Sequence, residues 1–219
     1  MIDATTLRGI ELFSGVDDAT VTALLSDAKQ LDLVRGDVIF AEGAEAHDLF
    51  VVEAGRIAIS NKSFDGRESM VALMTEGELF GEMSLFDRKG RSAEARALEV
   101  STVTQIPYRP LVELWTDQPA LLWKVVALLT TRLRAMDAAL ADAFFLDVTG
   151  RTAKHLLELA GDDDEFRIPI TQEELAGLVG ASRERVNKAI SSFIRLGWIE
   201  QHEHSYQILK RRELEIRSQ

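Results

Sequence analysis

The chain has 219 residues, 46% of them hydrophobic and 28% charged, with 25 Lys and Arg against 36 Asp and Glu for a net charge of −11. This is the composition of a globular protein with room for one large or two modest domains. It has no Cys, which excludes disulfides, cysteine-ligated iron–sulfur clusters and thiol redox sensing, and no run of about 18 apolar residues that would span a membrane.

The opening Met1-Ile2-Asp3-Ala4 has neither a basic nor an apolar leader pattern, so no signal peptide and a cytoplasmic location are expected. Residues 5–30 are predicted to be helical, with Ile10, Phe13 and Val16 followed by Val21, Leu24 and Leu25. From about residue 31 to 108 the apolar period shortens. Leu31/Leu33, Val38/Phe40, Phe50-Val51-Val52, Ile57/Ile59, Val71/Leu73 and Val100/Val103/Ile106 are predicted strands. They are divided by turns at Arg35-Gly36-Asp37, Glu42-Gly43, Ala54-Gly55, Asp65-Gly66, Glu76-Gly77 and Lys89-Gly90. Short, evenly spaced strands with Gly turns define a sandwich or barrel-like roll.

Within the roll, Phe80-Gly81-Glu82-Met83-Ser84-Leu85-Phe86 followed by Arg91-Ser92-Ala93 is a candidate ligand site. Gly81 permits close backbone approach, and Glu82 can accept a hydrogen bond from a hydroxyl. Arg91 offers a fork to a phosphate, with its guanidinium expected to face the ligand rather than the core, and Ser92 can complete an anion cradle. A surface salt bridge between Glu82 and Arg91 is the alternative.

A long helix is predicted from about Pro119 to Phe145. Leu122, Val126, Leu129, Leu133, Met136, Leu140 and Ala143 form an a/d seam over roughly three heptads. The helix would be about 40 Å long, more seam than one small roll can cover, so a parallel two-fold dimer is expected. Asp147 then caps a helix carrying Ala153, Leu156, Leu157 and Leu159. The acidic run Asp162-Asp163-Asp164-Glu165 reads as a solvated loop before the strand-like Phe166-Arg167-Ile168-Pro169-Ile170.

Residues 171–188 predict two short helices joined by a tight turn. Thr171 and Glu174 make a capping box, Leu175, Ala176 and Val179 give an apolar face, and Gly180 suits a left-handed helix end. Ser182 caps the second helix, whose exposed face carries Arg183, Glu184, Arg185, Asn187 and Lys188. A helix that reads the major groove needs Arg and Lys for guanine, Glu for cytosine and a hydroxyl for phosphate. Ala189, Ile190 and Phe193 pack its other face. Gly197-Trp198-Ile199 and Tyr206-Gln207-Ile208, around Gln201-His202-Glu203-His204-Ser205, predict a wing. Thr171, Gln172, Ser182, Arg183, Glu184, Arg185, Asn187 and Lys188 are thus the candidate DNA-binding residues of a winged helix-turn-helix.

The charge distribution agrees. Residues 151–219 hold 11 basic and 12 acidic residues, whereas residues 1–150 hold 14 and 24. The acid excess sits away from the DNA-reading helix and opposes non-specific binding. The four His, at 47, 155, 202 and 204, are scattered and predict no metal site.

In this order of parts, the chain resembles the bacterial cyclic AMP receptor protein/fumarate–nitrate regulator superfamily nearly from end to end. The residues that carry the likeness are Gly81-Glu82 with Arg91-Ser92-Ala93, the hinge Phe145-Leu146-Asp147-Val148-Thr149-Gly150-Arg151, and Val179-Gly180-Ala181-Ser182-Arg183-Glu184. The resemblance implies an α+β protein: a cyclic-nucleotide-binding roll over 1–117, a dimerisation helix over 118–146 and a winged helix-turn-helix over 147–219. It implies that Gly81 and Glu82 contact ribose, that Arg91 and Ser92 hold a cyclic phosphate, and that Arg132 supports the carboxylate. The ligand set is then Gly81, Glu82, Met83, Ser84, Arg91, Ser92, Ala93, Arg132, Met136 and Asp137.

Three positions depart from the pattern, in two places. Met136 and Asp137 stand where the cyclic AMP receptor has Thr and Ser, and Arg185 replaces a Thr. The expected function is a homodimeric transcription regulator of near-palindromic DNA that works with RNA polymerase. Its expected effector is a cyclic nucleotide, with cyclic AMP favoured over cyclic GMP. The alternative is a regulator of the same fold that needs no ligand or another one. No metal, haem or iron–sulfur cluster, no membrane partner and no catalytic residue is expected; no nucleophile elbow, paired-His motif or Walker loop is present.

Overall fold

The computed structural model describes residues 2–62, 68–168, 170–202 and 205–219. The turn expected at Asp65-Gly66, Pro169, and Glu203-His204 of the wing lie outside them. The chain divides into two compact units, Met1–Leu133 and Arg134–Gln219.

In the first unit the single helical region expected over 5–30 is instead three short pieces: α1 (Ala4–Gly9), a 3-10 turn (Glu11–Phe13) and α2 (Asp18–Ser26). Asp3 and Asp17 cap α1 and α2 by accepting the Thr6 and Thr20 N–H groups. Strand alternation takes over at Lys29, earlier than the apolar pattern suggests.

The roll then follows as β1 (Lys29–Leu33), β2 (Val38–Phe40), β3 (Asp48–Ala54), β4 (Ile57–Lys62), β5 (Glu68–Met74) and β6 (Leu79–Phe80). After α3 (Met83–Asp87) come β7 (Glu94–Ala97) and β8 (Ser101–Pro107), so Val100 lies just outside its expected strand. Two four-stranded antiparallel sheets result, in the orders β1-β8-β3-β6 and β2-β7-β4-β5. β8 and β3 are the inner strands of the first sheet, and Val103 of β8 lies opposite both Leu31 and Val52.

The two-residue period of β3 builds two cores at once. Phe50 and Val52 join Ile57, Phe80, Ala95, Ala97 and Val103 inside the roll. Leu49 and Val51 point the other way and pack with Leu7, Phe13, Val21, Leu24, Ile106, Leu111 and Trp115. Both faces of β3 are therefore dry, which is why it reads as an unbroken apolar run. The second core is closed by α4 (Tyr108–Asp117), a helix the strand pattern did not suggest.

A 3-10 turn at Pro119–Leu121 leads into α5 (Leu122–Phe145), which crosses the division between the units. Val125, with Leu121 and Leu128, faces the helical core of the first unit. The predicted seam lies on another face and is open: Leu122, Val126, Leu129, Leu133, Met136 and Leu140 are 37–69% exposed, and Ala143 is exposed as well.

In the second unit, α6 (Val148–Ala160) is capped by Asp147. The strand expected over 166–170 is only β9 (Glu165–Phe166). The acidic run before it is exposed as predicted, but Arg211 gathers it, pairing with Asp164 at 3.1 Å and donating to the carbonyls of Gly161 and Asp163. Next come α7 (Gln172–Val179), α8 (Arg183–Arg195), β10 (Ile199–Gln201), β11 (Tyr206–Ile208) and α9 (Arg211–Arg217). β9, β11 and β10 form a small antiparallel sheet. Stacked Phe166–Tyr206 and Phe193–Trp198 pairs fix this sheet and the end of α8.

Candidate functional site

The ligand candidates converge where β6 runs into α3. Gly81 sits at φ +80, and an added Cβ there would lie 2.7 Å from Arg91 Nη1. Glycine is thus required twice over, for its backbone angle and for the room it leaves to a guanidinium.

Arg91 is only 5% exposed, which corrects the expectation that it faces away from the core. Nη1 donates to the Gly81 carbonyl at 2.8 Å and to the Tyr108 hydroxyl at 3.2 Å. The guanidinium lies 4.1 Å from the Phe40 ring centroid, a cation–π contact in a dry setting. The phenylalanines at 40, 50 and 80 that line the roll supply that apolar floor. Burial lowers the Arg91 pKa from its usual value and raises that of Tyr108, while the mutual contact opposes both shifts.

Glu82 is 1% exposed. It pairs with Arg132 of α5, whose other terminal nitrogen donates to the Leu79 carbonyl. The alternative Glu82–Arg91 surface bridge is not what forms. Glu82 Oε2 and Arg91 Nε are buried and have no hydrogen-bond partner among the described residues. An acceptor and a donor are therefore both left over within the same cassette, which fits a ligand carrying a hydroxyl and a phosphate.

The remaining candidates are less uniform. Ser92 is exposed, with its hydroxyl 3.5 Å from Met83 Sδ, and Met83 is itself 48% exposed. Ser84 turns inward to the Gly90 carbonyl at 3.2 Å, and Ala93 is buried. Met136 and Asp137 are exposed on the part of α5 that belongs to the second unit. Sequence reasoning missed Tyr108 and Phe40; neither carries a local signal that links it to Arg91.

The second unit holds the other candidates. Thr171 and Glu174 form the capping box, and Gly180 ends α7 in the left-handed region. Ser182 caps α8 by accepting the Arg185 N–H at 3.4 Å. Val186, Ala189, Ile190 and Phe193 are buried, while Arg183, Glu184, Arg185 and Lys188 are exposed and Asn187 is half-buried. No ion pair engages those four exposed charges among the described residues. Gln172 is half-buried and donates to the Tyr206 hydroxyl at 3.2 Å; its Oε1 has no partner among the described residues. It is thus tied to the wing strand rather than free on the surface.

Residues 30–118 match the cyclic nucleotide-binding domain, and residues 150–217 match the Crp-like helix-turn-helix domain. The chain is 38% identical over 197 residues to a CRP-like cAMP-activated global transcriptional regulator of Mycobacterium tuberculosis, covering 86% of this chain and 87% of that protein. It is 31% identical over 180 residues to the cAMP-activated global transcriptional regulator CRP of Escherichia coli, covering 79% and 86%. FixK2 of Bradyrhizobium japonicum shares the fold, with a TM-score of 0.80 at 18% identity over 88% of this chain and 98% of that one.

Roll, helix and helix-turn-helix together define a DNA-binding transcription factor regulated by a small ligand, not an enzyme. The chain belongs to the cyclic AMP receptor protein/fumarate–nitrate regulator superfamily. Among the described residues no helix is long and apolar enough to cross a membrane.

Proposed function

We propose that this protein is a homodimeric regulator whose operator affinity is set by cyclic AMP bound at Gly81, Glu82, Arg91 and Ser92. The observation that carries the reading is the buried, partnerless pair Arg91 Nε and Glu82 Oε2. Two relatives named as cAMP-activated support the choice of nucleotide. The ligand supplies a phosphate anion and a ribose hydroxyl. Arg91, already desolvated, meets the anion with a charge-assisted bond. Glu82, held by Arg132, accepts the hydroxyl, so the roll and α5 both respond to occupancy. Such a ligand shifts the population toward the arrangement it binds better.

Residues 1–117 would hold the nucleotide, 118–146 the dimer contact and 147–219 the operator, in a cytoplasmic protein that works with RNA polymerase. A two-fold dimer would set two recognition helices about one DNA turn (~34 Å) apart on a near-palindrome. Arg183→Ala is expected to cost about 1–3 kcal/mol and to relax preference at one guanine per half-site. Binding to operator and to random DNA in the wild-type ratio would move the reading surface elsewhere.

Asp137 favours a second reading of the base, because an ionised carboxylate only accepts hydrogen bonds. It can take the single amino donor of adenine or, with both oxygens, the adjacent N1–H and N2 donors of guanine. Calorimetric titration with cyclic AMP and cyclic GMP tests both readings. If Asp137 meets the base, the Met136→Thr/Asp137→Ser variant shifts selectivity toward cyclic AMP by about 1–3 kcal/mol. An unchanged ratio takes Asp137 out of base recognition.

A further inference from the structure

The last helix of the chain ends on the hinge. α9 has seven residues, too few to persist as an isolated helix, so it must be held by what it touches. Leu214 is fully buried. Arg217, in the final turn, donates from one nitrogen to both carboxylate oxygens of Asp147. Asp147 is itself the cap of α6 and accepts the Gly150 N–H at 2.8 Å. A cation at one helix's C-terminus thus meets a carboxylate at another's N-terminus, and each charge also interacts favourably with the dipole of its own helix.

The backbones meet as closely as the side chains. A Cβ at Gly150 would lie 3.0 Å from both Arg217 Nη1 and the Arg217 carbonyl oxygen, and 3.3 Å from Leu146 Cβ. The neighbouring hinge groups are tied as well. Arg151 donates to the Leu146 carbonyl at 2.8 Å and to the Val179 carbonyl at 2.9 Å, at the end of α7. Lys154 pairs with Asp142 near the end of α5. Residues 142–154 are therefore bridged both to the turn that introduces α8 and to the C-terminal helix.

We propose that α9 is a clamp on this hinge, with Arg217 a positioning residue that sets how readily α6, and with it the DNA-reading helix, shifts when the effector binds. The inference rests on the ligand-regulated DNA binding argued above. Breaking the pair changes the ratio of DNA affinities with and without nucleotide, which plain destabilisation does not.

The test uses the full chain, cyclic AMP and a duplex selected by the wild type from random sequence. Asp147→Asn keeps a capping side chain and loses the charge; Arg217→Glu reverses the partner. Both are expected to change the affinity ratio about threefold to tenfold, as modest allosteric couplings do, and Arg217→Glu is expected to do less in the Asp147→Asn background. Where the wild type responds to cyclic AMP, ratios within twofold of it for both variants overturn the clamp, even where their melting temperatures fall. Amide exchange over residues 146–152 separates this from a failure of the nucleotide reading. Arg217→Glu should speed exchange there whether or not the wild type responds to cyclic AMP, and unchanged exchange also overturns the clamp.

Discussion

Replacing Arg91 with alanine is expected to weaken cyclic AMP binding by about a hundredfold or more, the loss of two charge-assisted hydrogen bonds. Calorimetric titration of the purified variant measures it. Because Arg91 is buried over Phe40 and donates to Gly81 and Tyr108, the variant should also lose about 1–3 kcal/mol of stability. A folded variant at the titration temperature, checked by circular dichroism, keeps the two effects apart. Arg91→Lys retains the charge without the planar fork and should fall between. Titration curves equal to wild type for Arg91→Ala would remove the phosphate site from this segment.

The second large effect is expected at the open face of α5. Leu133 is 59% exposed and Leu129 37% exposed in the single chain, so lysine at either position disturbs little of its own fold. At a two-fold interface the same lysine would meet its symmetry mate in an apolar seam, a charge buried without a partner. Leu133→Lys and Leu129→Lys should therefore be folded monomers by light scattering, with operator affinity reduced because each half-site is then bound alone. An undisturbed dimer in both variants would place the contact on another surface.

The DNA-reading unit was legible in the sequence because its rules are local. The Thr171–Glu174 capping box, the left-handed Gly180 and the Ser182 cap lie within twelve residues and appear as read. The apolar run of β3 was legible as a strand for a similarly simple reason, though its burial on both faces was not. What the sequence hid depends on partners distant along the chain. β7 shows its buried face only as Ala95 and Ala97, too small to register as an apolar alternation. α9 carries a single buried side chain among charges. Glu82 and Arg132 are 50 positions apart, and their pairing came from family likeness rather than from any periodicity. The inward turn of Arg91 was misread because an arginine in a loop is ordinarily solvated, whereas here Phe40, Tyr108 and the bare Gly81 make a place for it.

A nucleotide on the roll is proposed to govern DNA binding by the C-terminal unit. The most direct measurement is the affinity of the full-length wild type for its selected duplex with and without saturating cyclic AMP, at one fixed salt concentration, since affinity for DNA is salt-dependent. Affinity is expected to rise about tenfold or more with nucleotide, within the usual span of allosteric coupling, and the rise to vanish in Arg91→Ala. Equal affinities with and without nucleotide, in a protein that calorimetry shows to bind cyclic AMP, would contradict it.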